Sequence, residues 1–176
     1  MVKPASRRAS RVKSIAAYRT GFALDPVRDA WRTALAGRRL TRSIVTHCHP
    51  DHIGAGGWLC RRLDVPLATS FTEYLFALHV VTDPEFETEA NARYFRERGL
   101  DEESVGLVLT RGHDYLRKMT GLPGSFSRLT EGEPLKVGGR VFDIMTDGGH
   151  ALDQVMLHCA ADRLFLPGDQ VMLHIT

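Results

Sequence analysis

The sequence predicts an α/β fold, and three observations predict it. An amphipathic helical stretch opens after Asp25-Pro26. A short β-rich run, Ser43-Ile44-Val45-Thr46, then leads into a histidine-rich segment and a glycine-rich helix start. Beyond Gly124 the chain turns to short strand patterns around tight turns. Helical and strand periods thus share one chain, as packed helix and sheet layers require.

The elements follow in order. Asp25 stands as the N-cap of the first helix, with Pro26 at its first helical position. Val27, Ala30, Trp31, Ala34 and Leu35 keep the i, i+3, i+4, i+7, i+8 spacing, and Gly37 ends the helix. Residues 52–63 read as a second helix, where Gly54, Gly56 and Gly57 permit close approach. Val65 to Ala68 suits a short strand. Ser70 and Glu73 form a capping-box pattern before the apolar stretch Tyr74 to Val81. Asp83-Pro84 opens a helix that stops at Gly99, and Asp101 to Thr120 reads as another despite Gly106 and Gly112. Residues 70–120 are therefore a helical insertion. Pro134 to Val137 and Arg140 to Thr146 make a hairpin around Gly138-Gly139. Val155 to Cys159 and Arg163 to Leu166 pair around Ala160 to Asp162.

Bulk properties bound the function. At 176 residues the chain suits one domain, and 43% hydrophobic with 25% charged residues is ordinary for a soluble protein. No apolar run reaches the length of a membrane span. Cys48, Cys60 and Cys159 are odd in number and form no CxxC pair, so they read as reduced thiols in the cytoplasm. The net charge of +2 hides an asymmetry: residues 1–24 carry +6 and the remainder −4. A mildly acidic body gives no support to nucleic-acid binding. Residues 1–20 read as a basic, disordered leader or a misplaced translation start, with an organelle transit peptide as the other reading. Residues 21–176 are the folded part.

The chemistry concentrates in Thr46-His47-Cys48-His49-Pro50-Asp51-His52. Three imidazoles and a carboxylate crowd into six positions, from His47 to His52. Such crowding calls for a cation. Nitrogen and oxygen donors without a thiolate pair suit zinc, or iron or manganese, better than a structural Cys-rich site. His47 and His49 are two apart, so an extended backbone points both to one metal. Asp51 and His52 follow a turn and can reach a second. Cys48 should point away, as a small buried thiol. The cluster sits at a strand-to-helix junction, where α/β sheets bind ligands. Two further candidates stand after strands: His150 in Gly148-Gly149-His150 and Asp169 in Pro167-Gly168-Asp169. Trp31, Trp58 and Phe76 suit the core, and His79, His113 and His158 suit structural positions.

Together these segments resemble the recurring motifs of the metallo-β-lactamase fold superfamily: an HxHxDH heptad, a GH segment (Gly149-His150) and a GD segment (Gly168-Asp169), in that order. The resemblance covers roughly residues 20–176. It implies an αββα sandwich with metals at one edge of the sheets, here incomplete and carrying the insertion at 70–120. It implies that His47, His49 and His150 hold a first zinc ion, that Asp51 and His52 hold a second, and that Asp169 bridges both. It further implies a zinc-dependent hydrolase in which a metal-bridged hydroxide attacks the substrate and Asp51 orients it and carries its proton.

Two departures from the family pattern stand out. Members normally carry one more histidine downstream of the GD segment. This chain stops at Thr176, seven positions past Asp169, and His174 is too close to substitute. Arg19-Thr20-Gly21 also occupies the place of an Asp-Thr-Gly-like turn, with arginine where an acid is expected. The chain therefore reads as the middle of a longer protein, short at both ends.

Among thioesters such as S-acyl-glutathione, lactones, β-lactams and phosphodiesters, the sequence favours ester, thioester or lactone hydrolysis of a small molecule. Asp169 in place of a cysteine ligand argues against the best-known zinc β-lactamases. The insertion would lie over the metals and shape the substrate pocket. A second reading is a non-catalytic metal-binding fragment. A third is a di-iron redox protein, for which no flavin-binding segment is visible.

Overall fold

The computed structural model describes residues 13–82 and 84–171, with the side chains of 84–87 and 111–116 outside that description. His174, Asp83, the side chain of His113 and the basic residues of 1–12 therefore lie outside the described residues. The elements are β1 (Lys13–Tyr18), α1 (Asp25–Ala34), β2 (Arg38–Ile44), α2 (Pro50–Ile53), α3 (Gly56–Leu63), β3 (Leu67–Thr69) and three helices, α4 (Phe71–Thr82), α5 (Pro84–Glu97) and α6 (Glu102–Leu116). Then come β4 (Ser127–Arg128), β5 (Pro134–Val137), β6 (Arg140–Asp147), β7 (Gln154–Cys159) and β8 (Leu164–Leu166).

These strands build two four-stranded sheets. In the first, β1, β2, β3 and β4 lie side by side and pair in parallel. Parallel neighbours need a crossover, and the helices supply one at each step: α1, then α2 with α3, then α4 to α6. The second sheet, β5 to β8, is antiparallel throughout and is joined by short turns.

Strand alternation sorts the core into layers. Ile44 and Ala68 face the second sheet and join Leu135, Phe142, Ile144, Val155 and Leu157 in one buried cluster. Their chain neighbours Val45 and Leu67 face the other way, against Ile53, Cys60, Tyr74 and Ala77 from the helices. Ala17, Leu40 and Leu59 extend that helical side, with Trp31 and Trp58 packed on them. The order is helix, sheet, sheet. On the outer face of the second sheet, Val141, Met145 and Phe165 are exposed.

Several expectations need correction. Residues 13–18, read as leader, form β1 and pair along β2. Leu24, not Asp25, is the N-cap of α1, and no side chain caps that helix end. The second helix is two: α2 stops at Ile53 and α3 restarts at Gly56, because the intervening turn packs tightly under neighbouring backbone. Phe76, expected in the core, is 37% exposed, since α4 buries Glu73, Tyr74 and Ala77 instead. The insertion at 70–120 and both β-pairs stand where they were expected.

Tyr18 ties the two sheets together, its hydroxyl donating to the Leu166 carbonyl at 2.8 Å. Burial is the main cause that pushes its pKa from 10.0 up to about 12. The folded state therefore holds this proton where the unfolded chain has released it. Stability from this group is intact below pH 10 and falls as pH rises toward 12. The slope should be less than about 1.4 kcal/mol per pH unit, because the ring is partly solvated. Urea midpoints at pH 9 and pH 11.5 check it: Tyr18→Phe should be less stable at the lower pH and flatter between the two. Parallel pH dependence in both proteins would remove the role assigned to Tyr18.

Candidate metal centre

The site is assembled from three loops that follow strands. After β2 the chain runs through Thr46, His47 and Cys48 into α2, where His49 is the N-cap and Pro50 begins the helix. Proline suits that first position because its missing N–H would lack a helical partner anyway. His52 lies one turn on. The loop after β6 brings His150, and the loop after β8 brings Asp169. A backbone bond from Val155 N to the Thr46 carbonyl, 2.8 Å, fastens the two sheets together beside the heptad. Gly168 has φ +60, and a side chain there would press on Gln154, whose amide donates to the Pro167 carbonyl at 2.8 Å. That backbone conformation is the one glycine adopts without cost.

The histidines gather closely. Ring centroids lie 4.4 Å apart for His47 and His49, 4.9 Å for His47 and His150, and 4.8 Å for His49 and His150. Among the described residues two groups could hold a metal ion: His47 with His49 and His150, and His47 with His52 and Asp169. Within each group the candidate ligand atoms all lie within 4.8 Å of one another. Asp169 lies between the two, its Oδ2 3.1 Å from His52 Nε2 and 3.7 Å from His150 Nε2.

The protonation states suit metal donors. His47 is fully buried, and its pKa is pushed down to about 2, by burial first and then by His52, His49 and His150. His49 is lowered too, again by burial first and then by His150. Neutral imidazoles are the ligating form. The Asp51 carboxyl is held down to about 2, chiefly by its hydrogen bond with His52. His47 Nδ1 meets the Thr46 hydroxyl at 3.0 Å, but His47 Nε2 is buried with no hydrogen-bond partner. A buried polar nitrogen without a partner is costly. A cation held by the His47, His49 and His150 rings would satisfy it, so these residues fit a metal ion.

The sequence model of the metallo-beta-lactamase superfamily matches residues 19–174. The chain belongs to the metallo-beta-lactamase superfamily. Solved structures agree on the fold. A beta-lactamase domain protein from Burkholderia ambifaria superposes with a TM-score of 0.72 at 28% identity, over 90% of this chain and 44% of that one. A metallo-beta-lactamase family protein from Thermus thermophilus gives 0.73 at 24% identity, over 90% and 51%. A metallo-beta-lactamase from Pontibacter korlensis gives 0.51 at 16% identity, over 85% and 52%. The chain thus spans about half the length of these structural relatives. A search of curated proteins returned no match.

In this superfamily member, the residues singled out by sequence do not all meet on equal terms. His47, His49, His52, His150 and Asp169 converge. Asp51 stands beside them: its Oδ2 is 3.1 Å from His52 Nε2, its side chain is 44% exposed, and it falls in neither three-residue group. Cys48 packs against the apolar cluster under the helices, and its thiol pKa is raised well above normal, mostly by burial.

Sequence reasoning misses two residues at the site. Glu73 reads as half of a capping box, and its backbone N–H does reach Ser70 Oγ at 3.4 Å. Its carboxylate, however, is buried and accepts from Cys48 N and Asp153 N, each at 2.8 Å. It thereby joins the heptad to the His150 loop. An acid inside the apolar run Phe71 to Ala77 is the signal that could have found it. Arg19, noticed only as a departure, donates to His52 and Asp169.

Proposed function

We propose that this chain carries the metal centre of a zinc-dependent hydrolase acting on an ester, thioester or lactone. The observation that carries the reading is the buried, unpartnered Nε2 of His47, in a group completed by His49 and His150. These three imidazoles would hold a first ion, and His52, Asp169 and the adjacent Asp51 flank a second locus. A divalent cation supplies Lewis-acid polarisation of a substrate oxygen and acidifies water toward neutral pH.

The protein's own groups do the rest. The hydrogen bond between His47 Nδ1 and Thr46 Oγ1, 3.0 Å, restrains the ring and leaves Nε2 as its unpartnered nitrogen. Glu73 holds the two histidine-bearing loops in register. Asp51 is ionised at neutral pH and partly open to solvent, so it can orient a water molecule and relay its proton to a leaving group. Nitrogen and oxygen donors favour zinc, with iron or manganese as the alternatives. The free thiols Cys48, Cys60 and Cys159 support a reducing compartment such as the cytoplasm, and no described helix is long and apolar enough to cross a membrane.

The test is metal analysis of purified protein beside hydrolysis of a generic thioester. Bound zinc with turnover supports the enzyme. His47→Ala should weaken zinc binding by more than about 100-fold, beyond what loss of an outer partner costs. Less than one equivalent of zinc together with no turnover sinks the proposal. Since the chain spans about half the length of its structural relatives, a second reading has support: a metal-binding portion that needs the remaining length to turn over. Tight zinc without hydrolysis selects it.

A further inference from the structure

The second locus already contains a cation. Arg19 Nε donates to His52 Nδ1 at 3.0 Å, and Nη2 lies 2.7 Å from His52 Nε2. The same Nη2 is paired with Asp169 Oδ1 in an ion pair. The guanidinium thus spans both ring nitrogens of His52 and the carboxylate beside it. His52 is fully buried, and the Asp169 side chain is 16% exposed, so this positive charge sits where two of the three second-group donors converge.

Backbone geometry holds it there. Arg19 has φ +67, a left-handed conformation that strains a non-glycine residue. Its N–H donates to the Ile44 carbonyl at 3.1 Å, and the next residue, Thr20, donates from N and Oγ1 to the His52 carbonyl, each at 2.7 Å. The turn is therefore tied both to the end of β2 and to the helix that carries His52. A divalent ion held by His52 and Asp169 would draw on the same two side chains that Nη2 contacts, so the guanidinium would have to give way to it. The first group is built differently: His150 Nε2 meets His49 Nδ1 at 3.1 Å, and His47, the third member, keeps a buried Nε2 with no hydrogen-bond partner.

We propose that Arg19 serves as a built-in counter-cation at the second locus, so that the centre takes one divalent ion tightly, at His47, His49 and His150, and a second only weakly. The proposal rests on the metal-binding reading above. It makes Arg19 a determinant of metal stoichiometry. The guanidinium neutralises Asp169 and orders His52 without a metal ion. A second cation must displace it and break that ion pair, and the coupling should be felt as an affinity ratio.

Titration of the metal-free 176-residue chain with zinc by calorimetry, and with cobalt by visible spectroscopy, tests this without reference to activity. The wild-type chain should take one equivalent tightly. Arg19→Gly removes the guanidinium and relieves the positive φ, so it should fold, and it should bind a second equivalent roughly 5–150-fold more tightly than wild type. Arg19→Lys keeps a positive charge and should remain near one tight equivalent. Two equally tight ions in the wild type, or an unchanged single equivalent in Arg19→Gly, overturns the role of Arg19 and leaves the metal reading standing. No tight ion in any of the three proteins overturns the metal reading and this proposal together.

Discussion

Replacing Glu73 with alanine is expected to destabilise the fold by about 3–5 kcal/mol and to weaken metal binding about 10–100-fold. The carboxylate is buried and accepts two backbone N–H bonds at 2.8 Å, from Cys48 and from Asp153. Hydrogen bonds to a charged group contribute about 1.5–3 kcal/mol each, and their loss leaves two donors in a site water reaches poorly. Ser70, three residues earlier, donates from Oγ to the Asp153 carbonyl at 2.8 Å, so the start of α4 grips that residue on both sides. The consequence for the centre is geometric. Cys48 stands between His47 and His49, and Asp153 ends the loop that carries His150. Without Glu73 both loops lose their common anchor, and the three imidazoles must be ordered by the metal itself. Glu73→Gln keeps one acceptor and should lose less on both counts. Denaturant unfolding and zinc calorimetry on the two variants check this. A Glu73→Ala protein with the wild-type midpoint and wild-type affinity would mean the bonds contribute nothing net.

Glu73 also marks where sequence reasoning stops. The histidine cluster is legible because its signal is local: three histidines and an acid crowd into six positions. His150 and Asp169 are legible by motif order, and the structure brings them to the same point. The strand and helix periods place both hairpins and the helical insertion. What escapes depends on partners distant in sequence. Glu73 is 25 residues from Cys48 and 80 from Asp153, and an acid near a helix start is already accounted for locally by capping. Arg19 lies 150 positions from Asp169, and no spacing rule links them. Its composition-level reading, one more positive charge in a basic leading segment, points away from the site. The boundary of the folded part fails for a related reason. Residues 13–18 have little alternation of their own, and they become a strand because β2 offers an edge along which Lys13 to Tyr18 can pair.

Gly54→Ala is expected to cost about 3 kcal/mol or more, the upper end of what overpacking does. Gly54 has φ −50 and ψ −50, ordinary helical values, so backbone freedom is not the reason a glycine is needed. Space is. An added Cβ would lie 2.3 Å from the Pro50 carbonyl oxygen, 2.5 Å from that of Lys118 and 2.9 Å from that of Gly21. All three are backbone atoms and cannot rotate away. They belong to three segments that meet here: α2 with His52, the turn with Arg19, and the chain leaving the helical insertion. The meeting is fastened by bonds from Ala55 N to the Gly21 carbonyl, 2.8 Å, and from Thr120 N to the Gly54 carbonyl, 2.9 Å. A methyl group at Gly54 must therefore part α2 from the Arg19 turn, or part both from the insertion. Either movement would carry His52 away from Asp169, so Gly54→Ala should lose ordered metal binding along with stability. Gly106→Ala supplies the contrast. Gly106 sits within α6, where an added Cβ meets nothing within 4 Å, and alanine there should stabilise by about 0.5–1 kcal/mol through helix propensity alone. Urea unfolding of the two single variants should move in opposite directions. If both move the same way, the tight junction at Gly54 is not what separates α2 from α3.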